Sequence, residues 1–176
     1  MSNPEDSHRR TGKVMIYIAW LLVLGLLTIS FGAWEKYQYN PNSNPKSVHS
    51  DANGVIEVQL ASNRHNHYIV DGTINGHKVT FLLDTGATNV AIPAHLAKKL
   101  GLQRGYRHQV MTANGITEAF GTQLNTLTIG DILLRDIRAS INPSITRNEI
   151  LLGMSALKQI EFTQRGDQLT LRQYIQ

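Results

Sequence analysis

The absence of cysteine excludes several kinds of bond and of functional site. None of the 176 residues is a cysteine. The chain therefore forms no disulfide bond, uses no thiol nucleophile and holds no metal ion through cysteine. The absence is compatible with an oxidising compartment outside the cytoplasm. Any chemistry of this chain must depend on other side chains.

Runs of like charge are also absent. The chain has 17 Lys and Arg residues and 13 Asp and Glu residues, a net charge of +4, and its basic residues are dispersed rather than interleaved with aromatic side chains. Nucleic-acid binding is therefore a poor hypothesis. The sequence also lacks a Gly-x-Ser-x-Gly motif, the nucleophile turn of many serine hydrolases, and it contains no internal repeat.

Metal ligands are scarce as well. His65 and His67 have the spacing that puts two imidazoles on one face of a strand. However, no carboxylate or cysteine follows them at a usable distance along the chain. We interpret them as surface or loop histidines, and the sequence predicts neither a metal ion nor a cofactor.

Charge is missing altogether from residues 14–33, which read VMIYIAWLLVLGLLTISFGA. At about 1.5 Å per helical residue, this stretch is long enough to cross roughly 30 Å of hydrocarbon. We therefore predict a transmembrane helix over residues 14–34. The alternative is a cleaved signal peptide, whose apolar core is typically about 7–15 residues long and ends at small residues. Residues 30–33 make a poor cleavage site, which favours an uncleaved anchor.

The charges that flank this stretch predict its orientation. Arg9, Arg10 and Lys13 precede it, whereas Lys36 follows it beside an acidic residue. Because basic residues are retained on the cytoplasmic side, residues 1–13 are expected in the cytoplasm. The rest of the chain is then periplasmic or otherwise extracytoplasmic, on a single-pass protein of the inner (cell) membrane.

A polar segment follows the apolar stretch. Residues 37–53 (YQYNPNSNPKSVHSDAN) are rich in Asn, Ser and Pro, and such a composition buries too little apolar surface to form a core. We predict a flexible linker over residues 35–54 and one folded domain over residues 55–176.

The predicted domain reads mostly as short strands. Ile56, Val58 and Leu60 alternate with polar residues, which is typical of a half-buried strand. Asn75-Gly76 separates two apolar runs and predicts a tight hairpin. Further turns contain glycine at regular spacing, and one short helix is predicted after Pro93. The pattern favours an all-β fold, a closed barrel or sandwich.

The most informative segment is FLLDTGAT, at residues 81–88. Three apolar residues indicate a buried strand, and the strand leads directly into Asp84, Thr85 and Gly86. Burying a carboxylate without partners costs several kcal/mol, so such a site must supply hydrogen bonds or a shared proton. The structural alternative is an ordinary turn at the end of a strand.

This segment resembles the active-site signature of the aspartic peptidases. Ile150-Leu151-Leu152-Gly153 is similar to the apolar segment that these enzymes place behind the catalytic loop, and Thr112-Ala113-Asn114-Gly115 lies where they have a flap. The order of the motifs matches the retropepsin-like, single-domain bacterial members. The resemblance implies a closed retropepsin-like β-barrel, here preceded by the predicted transmembrane helix.

The resemblance also implies a role for each matching residue. Asp84 is the expected catalytic carboxylate. The expected supports of its loop are Thr85, Gly86, Ala87 and Thr88. The expected flap comprises Thr112, Ala113, Asn114 and Gly115. The residues expected to pack behind the loop are Leu151, Leu152 and Gly153.

Such an enzyme needs two carboxylates that share a proton. The chain has a single Asp-Thr-Gly, and Asp71-Gly72-Thr73 has the wrong order of residues. The second Asp84 is therefore expected from a second copy of the chain, in a homodimer that hydrolyses peptide bonds of a protein or peptide substrate. The alternative hypothesis is a catalytically silent peptide-binding or sensor module on the same barrel.

Overall fold

A computed structural model describes residues 4–50, 54–112 and 115–175. The chain divides between Gln38 and Tyr39 into two compact units. The first unit is helical, and the second consists mainly of strands.

One long helix, α1 (Pro4–Tyr39), makes up the N-terminal unit. Its segment Lys13–Tyr39 has a mean hydropathy of 2.4 and is long and apolar enough to cross a membrane. A signal sequence near the N-terminus can satisfy the same criteria of length and hydropathy. The helix continues beyond the residue at which the predicted span ends, because residues 35–39 contain no helix-breaking Pro or Gly.

The second unit contains two sheets. The smaller sheet has the strand order β1-β2-β11-β10, and the larger has the order β3-β4-β9-β5-β8-β7-β6. The strands are β1 (Ser47–Ser50), β2 (Val55–Ala61), β3 (Ile69–Ile74), β4 (His77–Leu83), β5 (Val90–Pro93), β6 (Arg107–Thr112), β7 (Gly115–Ile129), β8 (Ile132–Asn142), β9 (Ile150–Leu152), β10 (Glu161–Arg165) and β11 (Gln168–Tyr174). β3 also pairs with β7, which brings the first strand of the larger sheet against the sixth.

The hairpin predicted at Asn75-Gly76 is confirmed. β3 and β4 pair antiparallel, with Ile74 opposite His77. Asn75 and Gly76 have φ values of 50° and 80°, which are left-handed conformations that these two residue types tolerate best. The hairpin matters for the site because β4 ends directly before Asp84.

Parallel pairings hold the end of β4 in place. β4 pairs with β9, so that Leu83 lies beside Leu152, and β5 pairs in parallel with β8. Phe81, Ile150 and Leu152 are fully buried in one continuous core. The alternate residues Leu82 and Leu151 lie on the other face of these strands and are half-buried.

Two short helices complete the domain, α2 (Ala94–Ala97) and α3 (Met154–Leu157). The prediction named one short helix in this domain, whereas the described residues form two. Residues 154–157 form a helical turn because Gly153 accepts hydrogen bonds from the amides of Ala156 and Leu157.

The predicted flexible linker over residues 35–54 is wrong for much of its length. Ser47–Ser50 is β1, which pairs antiparallel with β2. Asn42 is buried, and its side-chain amide donates to the carbonyl oxygens of Ala61 and Ile69 at 2.9 and 2.7 Å. Its side-chain oxygen accepts the Ala61 amide at 2.8 Å. Burial of this polar residue is tolerated because its side-chain amide makes the hydrogen bonds that the backbone of a neighbouring strand would otherwise make.

Candidate active site

Asp84 lies at the first position after β4, at the start of a tight turn. Its backbone amide donates to the carbonyl oxygen of Leu152 at 3.2 Å, and its own carbonyl oxygen accepts the amide of Ala87 at 3.2 Å. The neighbouring strand β9 therefore fixes the backbone of Asp84 on one side, and the turn fixes it on the other.

The carboxylate of Asp84 is half-buried. Its Oδ1 accepts the amide of Gly86 at 2.9 Å, and the structure shows no second donor to this carboxylate among the residues that it describes. A Cβ at Gly86 would lie 3.2 Å from the same oxygen. The remaining carboxylate oxygen is thus available to a water molecule or to a substrate.

Gly153 packs directly behind this turn. A Cβ at this position would lie 2.3 Å from the carbonyl oxygen of Asn89 and 2.6 Å from that of Ala87, distances at which backbone atoms must move. The amides of Met154 and Ser155 donate to the carbonyl oxygens of Ala87 at 2.8 Å and Thr88 at 3.0 Å. The loop after Asp84 is therefore held by Gly153 and the first residues of α3, directly after the predicted supporting residues Leu151 and Leu152.

Sequence reasoning missed Ser155, which is buried beside the same loop. Its hydroxyl donates to the carbonyl oxygen of Arg138 at 2.7 Å and accepts the amide of Val90 at 3.0 Å. The hydroxyl therefore joins three elements, α3, β5 and β8. In the sequence, Ser155 could have been noticed only as a single hydroxyl residue within the mostly apolar segment Leu151–Leu157.

A cavity of about 1030 Å³ opens beside Asp84. Three segments surround it: the Asp84 loop, the hairpin of β6 and β7, and the segment between β8 and β9. Its described lining residues are Leu82, Asp84, Gly86, Ala87, Thr88, Asn89, Ala91, His108, Gln109, Val110, Met111, Gly115, Ile116, Thr117, Ser140, Asn142, Ser144, Ile145, Thr146, Arg147 and Leu151. The volume is sufficient for several residues of an extended peptide.

The hairpin of β6 and β7 lies where the flap was predicted. Thr112 and Gly115 are paired at its end, whereas Ala113 and Asn114 lie outside the described residues. Next to this end, Met111 and Ile116 face each other across the two strands and are 85% and 66% exposed. Such exposed apolar side chains at a cavity indicate a surface that another molecule covers.

The other candidate residues lie elsewhere or have structural partners. Oδ1 of Asp71 accepts hydrogen bonds from Asn40 and Thr80, both at 2.8 Å. The rings of His65 and His67 have centroids 6.5 Å apart, and among the described residues no group of three or more metal-ligating side chains comes together. His108 lines the cavity, and its Nδ1 is buried with no hydrogen-bond partner in the described part of the chain.

Comparison with known proteins agrees with this geometry. The family model described as gag-polyprotein putative aspartyl protease matches residues 70–159, which contain Asp84, the β6–β7 hairpin and Gly153. The chain belongs to this family. The match covers half of the chain and most of the β-strand unit.

A solved relative shows the same fold. The crystal structure of a retropepsin-like aspartic protease from Rickettsia conorii superposes with a TM-score of 0.60 at 29% sequence identity, covering 74% of this chain and 96% of that one. The predicted retropepsin-like fold is therefore confirmed, in a chain that is mostly β-strand.

Two curated proteins are also similar in sequence. An uncharacterized protein from Sinorhizobium sp is 35% identical over 130 residues, 72% of this chain and 56% of that protein. An uncharacterized protein from Rickettsia prowazekii (strain Madrid E) is 31% identical over 113 residues, 61% of this chain and 47% of that protein. The chain spans about half the length of these relatives.

Proposed function

We propose that this chain is a membrane-anchored aspartic endopeptidase whose active site forms between two chains of a homodimer, each of which contributes Asp84. The observation that carries the proposal is the placement of Asp84. A half-buried aspartate lies on a loop fixed by four backbone hydrogen bonds, at the side of a cavity large enough for a peptide. The family and the fold are those of aspartic proteases.

The exposed residues of the active-site loop support a shared site. Thr85, Gly86 and Thr88 are exposed in a single chain, although the backbone beneath them is firmly held. A two-fold axis beside this loop would cover them and bring the two Asp84 side chains together. Each chain then supplies half of the residues that surround the substrate.

The proposed chemistry needs no cofactor. Two carboxyl groups about 3 Å apart share one proton, because two groups of like charge at that distance cannot both be ionised. The ionised carboxylate takes a proton from a water molecule as the water oxygen attacks the peptide carbonyl carbon, and the protonated carboxyl donates its proton to the carbonyl oxygen. When the resulting diol collapses, the C–N bond breaks and the amine leaves with a proton from the carboxyl that the water had protonated. The other carboxylate takes the proton of one diol hydroxyl as the new carboxyl C=O bond forms, so the pair again shares one proton.

The N-terminal helix supports a membrane location for this enzyme. Lys13–Tyr39 satisfies the length and hydropathy of a spanning helix, and the basic residues that precede it favour a cytoplasmic N-terminus. We propose a single-pass protein of the inner membrane whose peptidase domain lies in the periplasm or outside the cell. Its substrates are then proteins or peptides that reach that compartment.

Substitution of Asp84 tests the proposal. Asp84→Asn is nearly isosteric but cannot act as a base, so we expect peptide cleavage to fall by at least about a thousandfold while the fold is retained. The measurement is cleavage of a quenched fluorescent peptide library by the full chain in detergent micelles, at acidic and neutral pH. Asn89→Ala, at another position on the lining of the same cavity, is a control that removes no carboxylate.

Two outcomes would contradict the proposal. Cleavage by Asp84→Asn at a rate near wild type would mean that Asp84 is not the catalytic group. Peptide binding by the wild-type chain with no cleavage at any pH would favour the alternative, a binding or sensor module.

A further inference from the structure

The charged groups of the cavity suggest what kind of peptide it accepts. Besides the imidazole of His108, the described residues that line the cavity include two ionisable side chains, Asp84 and Arg147. The others are apolar or neutral, including Leu82, Val110 and Leu151. Arg147 is therefore the permanent positive charge at a site whose chemistry centres on a carboxylate.

Arg147 has no ion-pair partner among the described residues, whereas two other arginines of this domain do. Arg172 pairs with Glu57 at 2.8 Å and with Glu161 at 3.2 Å, and Arg107 pairs with Glu118 at 3.0 Å. No carboxylate lies within ion-pairing distance of Arg147 in the described part of the chain. Arg147 is an exposed residue, and its guanidinium remains available to a ligand.

The nearest acidic residue along the chain is already engaged. Glu149 accepts a hydrogen bond from the hydroxyl of Tyr39 through its Oε1. This hydrogen bond engages Oε1 of Glu149, and the described residues show no ion pair between Glu149 and Arg147. Among these residues, Arg147 therefore has no carboxylate in direct contact, although one lies only two residues away along the chain.

The segment that carries Arg147 is held at several points. The amide of Ser144 donates to Oδ1 of Asn142 at 2.8 Å, and its hydroxyl is hydrogen-bonded to that of Thr117 on β7. Further along, Asn148 is hydrogen-bonded to His95 at 3.0 Å. These hydrogen bonds tether the segment on both sides of Arg147 before any ligand binds, which lowers the entropic cost of binding.

We propose that Arg147 is a specificity-determining residue that binds a carboxylate of the peptide substrate. A guanidinium presents paired N–H donors that match the two oxygens of a carboxylate, and such charge-assisted hydrogen bonds are stronger than neutral ones. The substrate class is therefore peptides with apolar residues and at least one acidic residue within the bound segment. This inference rests on the proposed function, because it assigns a preference to the same cavity.

The test uses matched peptides and the full chain in detergent micelles. A decapeptide of apolar residues with both ends blocked receives Glu or Gln at each position in turn. We expect one or two positions at which the Glu peptide is cleaved with a kcat/KM about 5–10 times that of the Gln peptide, mainly through KM. The preference should weaken near 1 M salt, where the screening length is only about 3 Å.

Variants of Arg147 show whether this residue is responsible. Arg147→Gln should bring the Glu-to-Gln ratio to about one, and Arg147→Glu should favour Lys peptides over Gln peptides. Arg135→Gln removes an exposed arginine that does not line the cavity and should keep the wild-type ratio. A second set of peptides carries a free C-terminal carboxylate. If only these peptides are cleaved preferentially, Arg147 binds the C-terminal carboxylate of the substrate rather than an acidic side chain.

Failure of this inference can be told apart from failure of the proposed function. In the Asp84→Asn background, fluorescence anisotropy of the labelled peptides measures binding without any cleavage. A tighter Kd for Glu peptides that is lost with Arg147→Gln supports the inference even if no cleavage is ever seen. Equal Kd values for Glu and Gln peptides at all positions and with both kinds of C-terminus would overturn it, as would a preference that persists in Arg147→Gln.

Discussion

At the scale of single residues, Gly153 shows how closely the candidate site is packed. Its Cα lies so near the loop after Asp84 that an added methyl group would come within 2.6 Å of two backbone oxygens. Backbone atoms cannot rotate away as side chains can. A larger residue must therefore displace either β9 or the loop that carries Asp84.

Gly153→Ala should accordingly lower both stability and activity. We expect a loss of about 2 kcal/mol in the free energy of unfolding, typical of overpacking in a rigid site, and a fall in peptide cleavage larger than the unfolded fraction explains. Denaturant titration followed by near-ultraviolet circular dichroism, together with the cleavage assay, measures both. Gly25→Ala is the matched control, because its methyl group would meet nothing within 4 Å. Unchanged stability and cleavage in Gly153→Ala would contradict the packing described here.

The same scale shows what the sequence could predict about the site. An apolar run that ends in Asp84-Thr85-Gly86 is a local pattern, and so the loop and its position after a strand could be expected. Ser155 could not, because its two hydrogen-bond partners lie 65 and 17 residues away along the chain. A buried hydroxyl is recognisable only when the strands that surround it are known.

At the scale of elements, the sequence predicted those that depend on neighbouring residues. It did not predict the strand pairs that join segments far apart in the chain. The hairpin at Asn75-Gly76 follows from turn residues that adopt positive φ. By contrast, the parallel pairs of β4 with β9 and β5 with β8 join segments about 50–70 residues apart, and no short motif specifies them. The strand β1 was missed for a related reason, since its partner β2 supplies the hydrogen bonds that its polar composition does not suggest.

The segment between α1 and β1 yields a further prediction. Asn42 bonds to the backbone of β2 and β3 through its side chain, and its carbonyl oxygen accepts the amide of Asp71 at 3.2 Å. Asn42→Ala leaves the backbone groups of Ala61 and Ile69 without these partners. We expect the domain to lose about 2–4 kcal/mol of stability, since each buried polar group left unsatisfied costs about 1–3 kcal/mol.

Hydrogen–deuterium exchange provides a local measurement of this loss. The amide of Ala61, which donates to Asn42, should exchange much faster in Asn42→Ala than in the wild-type chain. Asn44→Ala, two residues further along and exposed, should leave that amide protected. Equal protection in both variants would mean that the segment is a free linker after all.

At the scale of the whole molecule, the decisive property is that the proposed active site is divided between two chains. The described residues bring one active-site aspartate, Asp84, to the cavity. Thr85 and Gly86 follow it in the chain and are exposed. A second aspartate from within the same chain would have to come from another loop, but Asp71 is engaged by Asn40 and Thr80. The proposed enzyme therefore exists only as an assembly.

Mixing wild-type and Asp84→Asn chains tests this division directly. A mixed dimer holds one aspartate and one asparagine, so no carboxylate pair can share a proton. With equal amounts and random exchange, about a quarter of the dimers carry aspartate on both sides, because a two-fold site draws one residue from each partner. Cleavage at matched total protein should then fall to roughly a quarter of the wild-type rate, below the half that simple dilution gives. Energy transfer between labelled chains shows that exchange has occurred, and a fall to half under that condition would mean that each chain carries a complete site.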